Sequence, residues 1–287
     1  MAYNQNLTVR AALAQGSATL LASGIPSPVL DSEVLLAHVL GSNRTRLFAR
    51  PEYTLTQEQE QRYKACLARR QRHEPVPYIV GSREFYGLTF AVDRRVLIPR
   101  PETEQVVERT LESVSGGPIL IADVGTGSGI IAISLAVHLP LARVYAIDSS
   151  SDALEVAANN CRRHNLIERV RLLQGDLLEP LPEPVDLIAA NLPYVPTPTL
   201  ATLDVDVRDY EPWQALDGGP DGLAQVARLL GQATHWLRPR GAVVLEIGAE
   251  QGERAACLAR DSFPRARVEV FQDFAGLDRV VRVRMPD

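Results

Sequence analysis

Residues 119–129 read ILIADVGTGSG, and this stretch decides the fold class. Residues 119–124 are apolar except for Asp123 and have the length expected for a strand buried on both faces of a sheet. Glycines follow at positions 125, 127 and 129, and the apolar segment 130–138 is predicted to be a helix. A strand, a glycine-rich turn and a helix in this order predict an α/β sheet whose backbone N–H groups approach a ligand closely.

The glycine-rich turn differs from the dinucleotide-binding fingerprint at one position. The pattern G-x-G-x-x-G would need glycine at position 130, and Ile130 stands there. The turn therefore favours a nucleoside ligand that lacks a pyrophosphate. The predicted ligand-binding residues of the turn are Gly125, Thr126, Gly127, Ser128 and Gly129.

Asp148 ends the second predicted strand, residues 144–147, and lies 19 residues after Gly129. A carboxylate at this place can accept hydrogen bonds from both ribose hydroxyls of a nucleoside. It can instead cap a helix that begins near Ser151. The sequence leaves both interpretations open.

Two further predicted strands, residues 170–173 and 185–190, are also followed by polar residues. After the first, Asp176 could accept a hydrogen bond from an adenine amine while Leu177 covers the face of the ring. Asn191 follows the second. Because the carboxyl ends of neighbouring parallel strands meet at one edge of a sheet, these residues together predict a nucleoside site.

Residues 191–194 read NLPY and are the predicted catalytic residues. Asn191 supplies an amide that can both donate and accept, Pro193 restricts the backbone, and Tyr194 supplies a flat face. Such a set suits a planar amide or amine as the second substrate.

The first part of the chain is predicted to be a small helical bundle. Asp31 is a candidate cap for a helix over residues 32–40, and residues 56–59 have the spacing of a capping box for a helix that runs to about His73. The basic residues of that last helix form either a solvated face, as charge runs usually do, or a docking surface for an acidic protein partner.

A β-hairpin is predicted next, with strands over residues 83–85 and 88–92. Arg100 then lies between two prolines, where it either forms a surface ion pair or lines the mouth of a pocket. Residues 210–223 are rich in turn-forming residues and could close over the target.

The composition is that of a globular chain of 287 residues, 46% hydrophobic and 23% charged. A net charge of -5 argues against a long polyanion as the main partner. The cysteines and histidines are scattered without ligand spacing, so neither a disulfide framework nor a metal site is expected. We expect a cytoplasmic protein, because the amino terminus has no signal-peptide core and the apolar runs are too short to cross a bilayer.

The spacing of the strand ends resembles that of a Rossmann-like methyltransferase that uses S-adenosylmethionine, and further motifs resemble the HemK/PrmC family, the glutamine methyltransferases of peptide-chain release factors. The resemblance covers nearly the whole chain. This chain departs from the family at one position. The family motif is usually Asn-Pro-Pro-Tyr, and here Leu192 replaces its first proline. The stretches that carry it are PYI (77–79) with Gly81, EFYGL (84–88), IPRPETE (98–104), DVGTGSG (123–129), GDL (175–177), ALDGG (215–219) and DGL (221–223).

The resemblance implies an α/β fold with three domains: a helical substrate-recognition domain over residues 1–75, a β-hairpin linker over 76–98 and a methyltransferase domain over 99–287. It implies S-adenosylmethionine as cofactor and the glutamine of the Gly-Gly-Gln motif of release factors as target. Asn191 and the backbone carbonyl of Leu192 would hold the amide hydrogens of that glutamine, and Tyr194 would pack against the amide. A monomer without nucleic-acid or membrane partners is expected.

Other functions stay open from the sequence. An adenine-amine methyltransferase on DNA or RNA is one alternative, because motifs of this kind also serve an exocyclic amine. A non-catalytic module that binds S-adenosylmethionine is another, suggested only by Leu192. A nicotinamide dehydrogenase is disfavoured by Ile130.

Overall fold

The computed structural model describes residues 7–114 and 116–286. The helices are α1 (Val9–Ala22), α2 (Pro28–Val39), α3 (Arg44–Ala49), α4 (Gln57–Arg70), α5 (Val76–Val80), α6 (Glu104–Leu111), α7 (Ile130–His138), α8 (Ser151–Arg163), α9 (Val205–Arg208), α10 (Ala224–Trp236) and α11 (Gly252–Ser262). The strands are β1 (Ser82–Phe85), β2 (Leu88–Ala91), β3 (Ile119–Val124), β4 (Ala142–Asp148), β5 (Val170–Gln174), β6 (Val185–Ala190), β7 (Leu237–Glu246), β8 (Arg267–Gln272) and β9 (Asp278–Arg284).

The chain divides into two compact units. One comprises the chain up to Gly81 together with Asp204–Tyr210, and the other comprises Ser82–Leu203 and Glu211–Asp287. The proposed domain boundaries at residues 75 and 98 stay a prediction, because a compact packing unit need not be a domain that folds alone.

The first unit is a helical bundle built around one apolar core. Two helix ends differ from the prediction. Helix α2 begins at Pro28, which suits a first helical position, so Asp31 lies in the first turn and is not the cap. Helix α4 has the predicted capping box at Thr56 but ends at Arg70, because His73 takes a left-handed φ of 65°. The core includes Val9, Ala12, Leu20, Leu35, Leu36, Tyr63 and Leu67.

Asp31 has a different function in this bundle from the predicted one. Its Oδ2 accepts a hydrogen bond of 2.7 Å from Nε of Arg70, which is buried. The Nη1 atom of Arg70 also donates to Asp206 of α9 at 2.6 Å. A buried guanidinium needs such partners, because an unpaired charge away from water is costly.

The second unit contains the predicted α/β sheet. Its seven strands have the order β5-β4-β3-β6-β7-β9-β8, with β3 to β7 parallel and β9 antiparallel to both neighbours. Both faces of the central strand β3 are covered, since Ile121 and the adjacent Ala122 belong to two different apolar clusters. The β1–β2 hairpin, also in this unit, is formed as predicted.

The strand order indicates which edge of the sheet binds a ligand. The chain runs outward from β3 through β4 to β5 and then returns to the other side of β3 as β6. Ligands of open α/β sheets bind outside the carboxyl ends of the strands at such a reversal. The register brings these ends together, because Val124 pairs with both Ile147 and Ala190, and Asp148 pairs with Gln174.

Candidate functional site

A pocket opens at the carboxyl ends of β3, β4, β5 and β6. Of the predicted site residues, all but Gly129 and Tyr194 line it. Residues far apart in the sequence, from Gly125 to Pro193, therefore lie around one space. Arg100, Thr103 and Gln214 line the same pocket.

The glycine-rich turn is stabilised by hydrogen bonds to the buried carboxylate of Asp123. Asp123 Oδ2 accepts from the Thr126 hydroxyl at 2.6 Å and from the Ala132 N–H at 3.0 Å. Burial raises the pKa of Asp123 to about 7, and these two hydrogen bonds oppose the rise. Gly127 has a φ of 54°, and a Cβ atom there would meet no atom within 4 Å, so glycine is favoured by its backbone conformation and not by close packing.

Asn160 of α8 also holds the turn, although sequence reasoning did not identify it. Its Nδ2 donates to the carbonyl of Ser128 at 2.8 Å and to that of Ala91 at 3.0 Å, while its Oδ1 accepts from the Ala91 N–H at 2.7 Å. The side chain is fully buried and so links strand β2 to the glycine-rich turn. An asparagine within the helix that was expected to begin near Ser151 is the only signal that could have found it.

Asp148 lies at the tip of β4 and faces the turn. Its Oδ2 accepts from the Gly127 N–H and its Oδ1 from the Ser150 N–H, both at 2.9 Å. Ser150, and not Asp148, caps α8, because the Ser150 hydroxyl accepts from the Ala153 N–H. Burial raises the pKa of Asp148, and the backbone N–H groups oppose this. A carboxylate has about four acceptor positions, so both oxygens can still accept from a ligand.

The end of β5 supplies an acidic and an apolar residue. Asp176 forms an ion pair with Arg228 of α10, and both side chains are about half exposed. Leu177 is buried and takes a left-handed φ of 51° beside the pocket. The pairing with Arg228 holds the Asp176 carboxylate in place, which was not predicted from the sequence.

Asn191 follows β6 and is half buried. Its Nδ2 donates to the hydroxyl oxygen of Thr103 at 3.0 Å. Among the hydrogen bonds of the described residues, none involves its Oδ1. The amide therefore has one end fixed and its acceptor end available.

Leu192 is 5% exposed and packs against the glycine-rich turn. A Cβ atom on Gly125 would lie 3.2 Å from Leu192 Cδ2, so this side chain covers the turn directly. The leucine thus supplies apolar packing at the position where the related motif has proline.

The turn-rich segment after Trp213 packs against the backbone of residues 193–195. The Val195 N–H donates to Leu216 O at 3.0 Å, and the Gly218 N–H donates to Val195 O at 2.8 Å. A Cβ at Gly218 would lie 2.7 Å from Pro193 O, so only glycine allows this approach. The Leu-Asp-Gly-Gly segment therefore supports the Asn-Leu-Pro-Tyr motif from outside.

We expect Gly222→Ala to reduce the activity of this site by at least about tenfold, because it displaces the motif that the segment supports. A Cβ on Gly222 would lie 2.2 Å from Tyr194 O. Gly276→Ala is the matched control, since Gly276 has the same φ of 77° but no atom within 4 Å of its Cβ position. Equal melting temperatures and equal transfer rates for the two variants would contradict this explanation.

Arg100 confirms one of the two interpretations made from the sequence, the lining of a pocket, whereas its ion pair is formed with a buried partner and not at the surface. It lines the pocket, and its guanidinium pairs with Glu211, which is buried. Glu211 also accepts from the Ile98 N–H at 3.1 Å. The ion pair therefore connects the Pro-Arg-Pro stretch to the segment that begins at Glu211.

Glu246, at the end of β7, is buried behind the motif. Burial raises its pKa to about 7, and hydrogen bonding to the hydroxyls of Thr103 and Tyr194 opposes the rise. Burial and the nearby Glu246 carboxylate in turn raise the pKa of Tyr194. The sequence analysis assigned Glu246 no role.

The part of the chain that the structure describes has neither a cluster of metal ligands nor a membrane-spanning helix. No group of three or more His, Cys, Asp or Glu side chains there could hold a metal ion. None of the helices within residues 7–114 and 116–286 is long and apolar enough to span a membrane.

The reversal of strand order, the glycine-rich turn and the acidic tip of β4 define a Rossmann-like methyltransferase that uses S-adenosylmethionine. The model of the PrmC N-terminal domain matches residues 11–81, and a methyltransferase-domain model matches residues 121–205. The chain belongs to the release factor glutamine methyltransferase family, as its relatives show.

One such relative is the release factor glutamine methyltransferase of Moorella thermoacetica, which is 46% identical over 95% of this chain and 97% of its own. Another, from Nitratidesulfovibrio vulgaris, is 37% identical over 99% of this chain and 97% of its own. The solved methyltransferase of Pyrococcus furiosus is 17% identical with a TM-score of 0.53, covering 71% of this chain and 91% of its own, and shows the likeness of fold. Family membership favours an enzyme over the non-catalytic module.

Proposed function

We propose that this protein transfers a methyl group from S-adenosylmethionine to the side-chain amide nitrogen of the glutamine in the Gly-Gly-Gln motif of release factors. The proposal is carried by one observation, the position and hydrogen bonding of Asn191. Asn191 lies at the strand reversal, lines the pocket, and keeps its acceptor oxygen free of hydrogen bonds within the described chain. A free amide acceptor beside a nucleoside pocket suits a substrate that presents an N–H group.

The residues of the pocket fit the proposed cofactor. Gly125, Thr126, Gly127 and Ser128 would leave room for it along their backbone, Asp148 would accept from its ribose hydroxyls, and Leu177 would cover its adenine. Gly129, which does not line the pocket, would contribute only through the shape of the turn. Asp176, held by Arg228, would accept from the adenine amine. When bound, S-adenosylmethionine supplies a methyl group that is activated by the positive charge on sulfur.

The chain would contribute mainly position and electrostatics. A glutamine amide nitrogen is a poor nucleophile, because its lone pair is shared with the carbonyl group. We infer that Asn191 Oδ1 and the Leu192 carbonyl accept its two N–H groups, while Pro193 stiffens the backbone and Tyr194 packs against the amide. These acceptors would aim the nitrogen and would also favour the positive charge that develops on it.

No dedicated base is needed in this proposal, because an amide alkylated on nitrogen is a strong acid and loses its proton readily. This agrees with a motif in which the residues nearest the amide are an asparagine and a backbone carbonyl. The same proposal includes a monomeric cytoplasmic protein that acts on a protein partner and not on nucleic acid, which its net charge of -5 favours.

The proposal is tested with labelled S-adenosylmethionine and a purified release factor. We expect label on the glutamine of the Gly-Gly-Gln motif and none on a release factor in which that glutamine is replaced by alanine. DNA and RNA are incubated in parallel. Label on nucleic acid, or on the alanine-substituted factor at the same rate, would reject the assignment.

A further inference from the structure

Glu246 is a buried carboxyl group near Tyr194, which belongs to the Asn-Leu-Pro-Tyr motif, and near Thr103, which binds the Asn191 amide. It is 2% exposed. The hydroxyls of Thr103 and Tyr194 both face it and lower its pKa against the effect of burial. Among the described residues its Oε2 has no hydrogen-bond partner, so this oxygen can still accept one.

The direction of the hydrogen bonds follows from which groups can donate. Thr103 is fully buried, and its oxygen accepts from Asn191 Nδ2 at 3.0 Å. Because water is excluded, the hydroxyl hydrogen of Thr103 needs another acceptor, and the nearby Glu246 carboxyl group, whose Oε2 has no partner among the described residues, can supply it. A carboxylate accepts only, so it fixes the Thr103 hydroxyl as donor on that side.

The direction of the Thr103 hydrogen bonds decides whether Nδ2 or Oδ1 of Asn191 faces the pocket. If Glu246 lost its acceptor character, the Thr103 hydroxyl could donate to Asn191, and the amide would gain by turning its Oδ1 inward. Nδ2 would then face the pocket and would oppose the N–H groups of an incoming amide. The two ends of an asparagine amide have nearly the same shape, so hydrogen bonding alone selects between them.

We propose that Glu246 is a positioning residue for methyl transfer, which acts through Thr103 to keep Asn191 Oδ1 available to the substrate and holds the Tyr194 hydroxyl directly. The inference rests on the proposed function, because it assigns Glu246 a part in aligning the amide nitrogen. It also makes a statement about the free protein that can be tested without any substrate.

The first experiment compares Thr103→Val, Thr103→Ser and Glu246→Gln. Valine keeps the shape of threonine without the hydroxyl, serine keeps the hydroxyl, and glutamine can donate where glutamate only accepts. We expect kcat to fall about 10-fold to 10²-fold in Thr103→Val and Glu246→Gln, as for a misaligned nucleophile. In both variants the affinity for S-adenosylmethionine and the KM for the release factor should stay within about threefold of the wild-type values. Thr103→Ser, which keeps the hydroxyl, should have a kcat within about threefold of the wild-type kcat.

The second experiment uses the free protein labelled with nitrogen-15. The side-chain NH2 signals of Asn191 are assigned by their loss in Asn191→Asp. We expect them to change with pH as Glu246 titrates near its pKa of about 7 and to be constant over this range in Glu246→Gln. Burial, Glu102, Arg279 and the two hydroxyls set this pKa, and the experiment reads their combined effect.

Two results would overturn the inference. One is a set of Asn191 signals that do not respond to pH and are the same in the wild type, Thr103→Val and Glu246→Gln. The other is an active wild type whose kcat is unchanged in both isosteric variants. Failure of the proposed function is a different result, because the wild type would then leave release factors unlabelled while the Asn191 signals still responded.

Discussion

Replacing Asn191 with alanine is expected to abolish most methyl transfer while the protein still binds S-adenosylmethionine. The variant loses the proposed acceptor for a substrate N–H and the hydrogen bond of 3.0 Å to Thr103. Removing one such preorganised group typically costs about 10² to 10³ in kcat. Binding of S-adenosylmethionine should weaken only a few fold, because the turn and Asp148 are untouched. Calorimetry for binding and labelled transfer to a release factor measure the two effects.

Asn159→Ala is the matched control for this prediction. Asn159 is the neighbour of Asn160 on α8, but its side chain is exposed, so the same chemical change is made on the surface of the same unit. We expect its kcat to equal that of the wild type. Transfer by Asn191→Ala within a few fold of the wild-type rate would show that the amide does not hold the substrate.

Replacing Asp148 with alanine is expected to have the opposite kinetic signature, a large loss of affinity for S-adenosylmethionine. Hydrogen bonds to a charged group contribute about 1.5 to 3 kcal/mol each, so the loss of two ribose contacts should raise the Kd roughly 10²-fold or more. The Gly127 and Ser150 N–H groups also lose their acceptor, which loosens the turn. At saturating cofactor, kcat should fall much less than in Asn191→Ala.

Asp152→Ala provides the control for charge, because Asp152 is an exposed acid in the first turn of α8. Its Kd for S-adenosylmethionine is expected to match that of the wild type in a titration calorimeter. A Kd for Asp148→Ala within threefold of the control would mean that Asp148 only orders the turn and does not contact the ribose.

Local patterns were sufficient for much of the second unit. The bounds predicted for the first strand, residues 119–124, and for the following helix, residues 130–138, are those observed. Both segments are apolar apart from Asp123, Ser134 and His138, and they lie on either side of a turn that contains three glycines. The prediction was wrong at Asp31, because a competing start signal, Pro28, lies three residues earlier.

The contacts that hold the site could not be predicted in the same way. Asn160 reaches Ser128 and Ala91, Arg228 reaches Asp176, and Glu246 faces Thr103 across much of the chain. A lone asparagine, arginine or glutamate has no periodicity, so its partner is known only when the strands have been paired. The roles predicted for the site residues themselves remain proposals until the variants are measured.

The sequence by itself determined the α/β class, the glycine-rich turn and the positions of the polar strand ends, because these depend on the order of residues over short distances. Only the tertiary structure decided which groups neighbour and position these residues, above all Thr103 and Glu246 next to Asn191. Parallel strands are joined by long crossover connections, so residues that are adjacent in the sheet are far apart in the sequence. The hydrogen-bond partners of a buried amide are therefore set by tertiary packing and not by residues near it in the sequence.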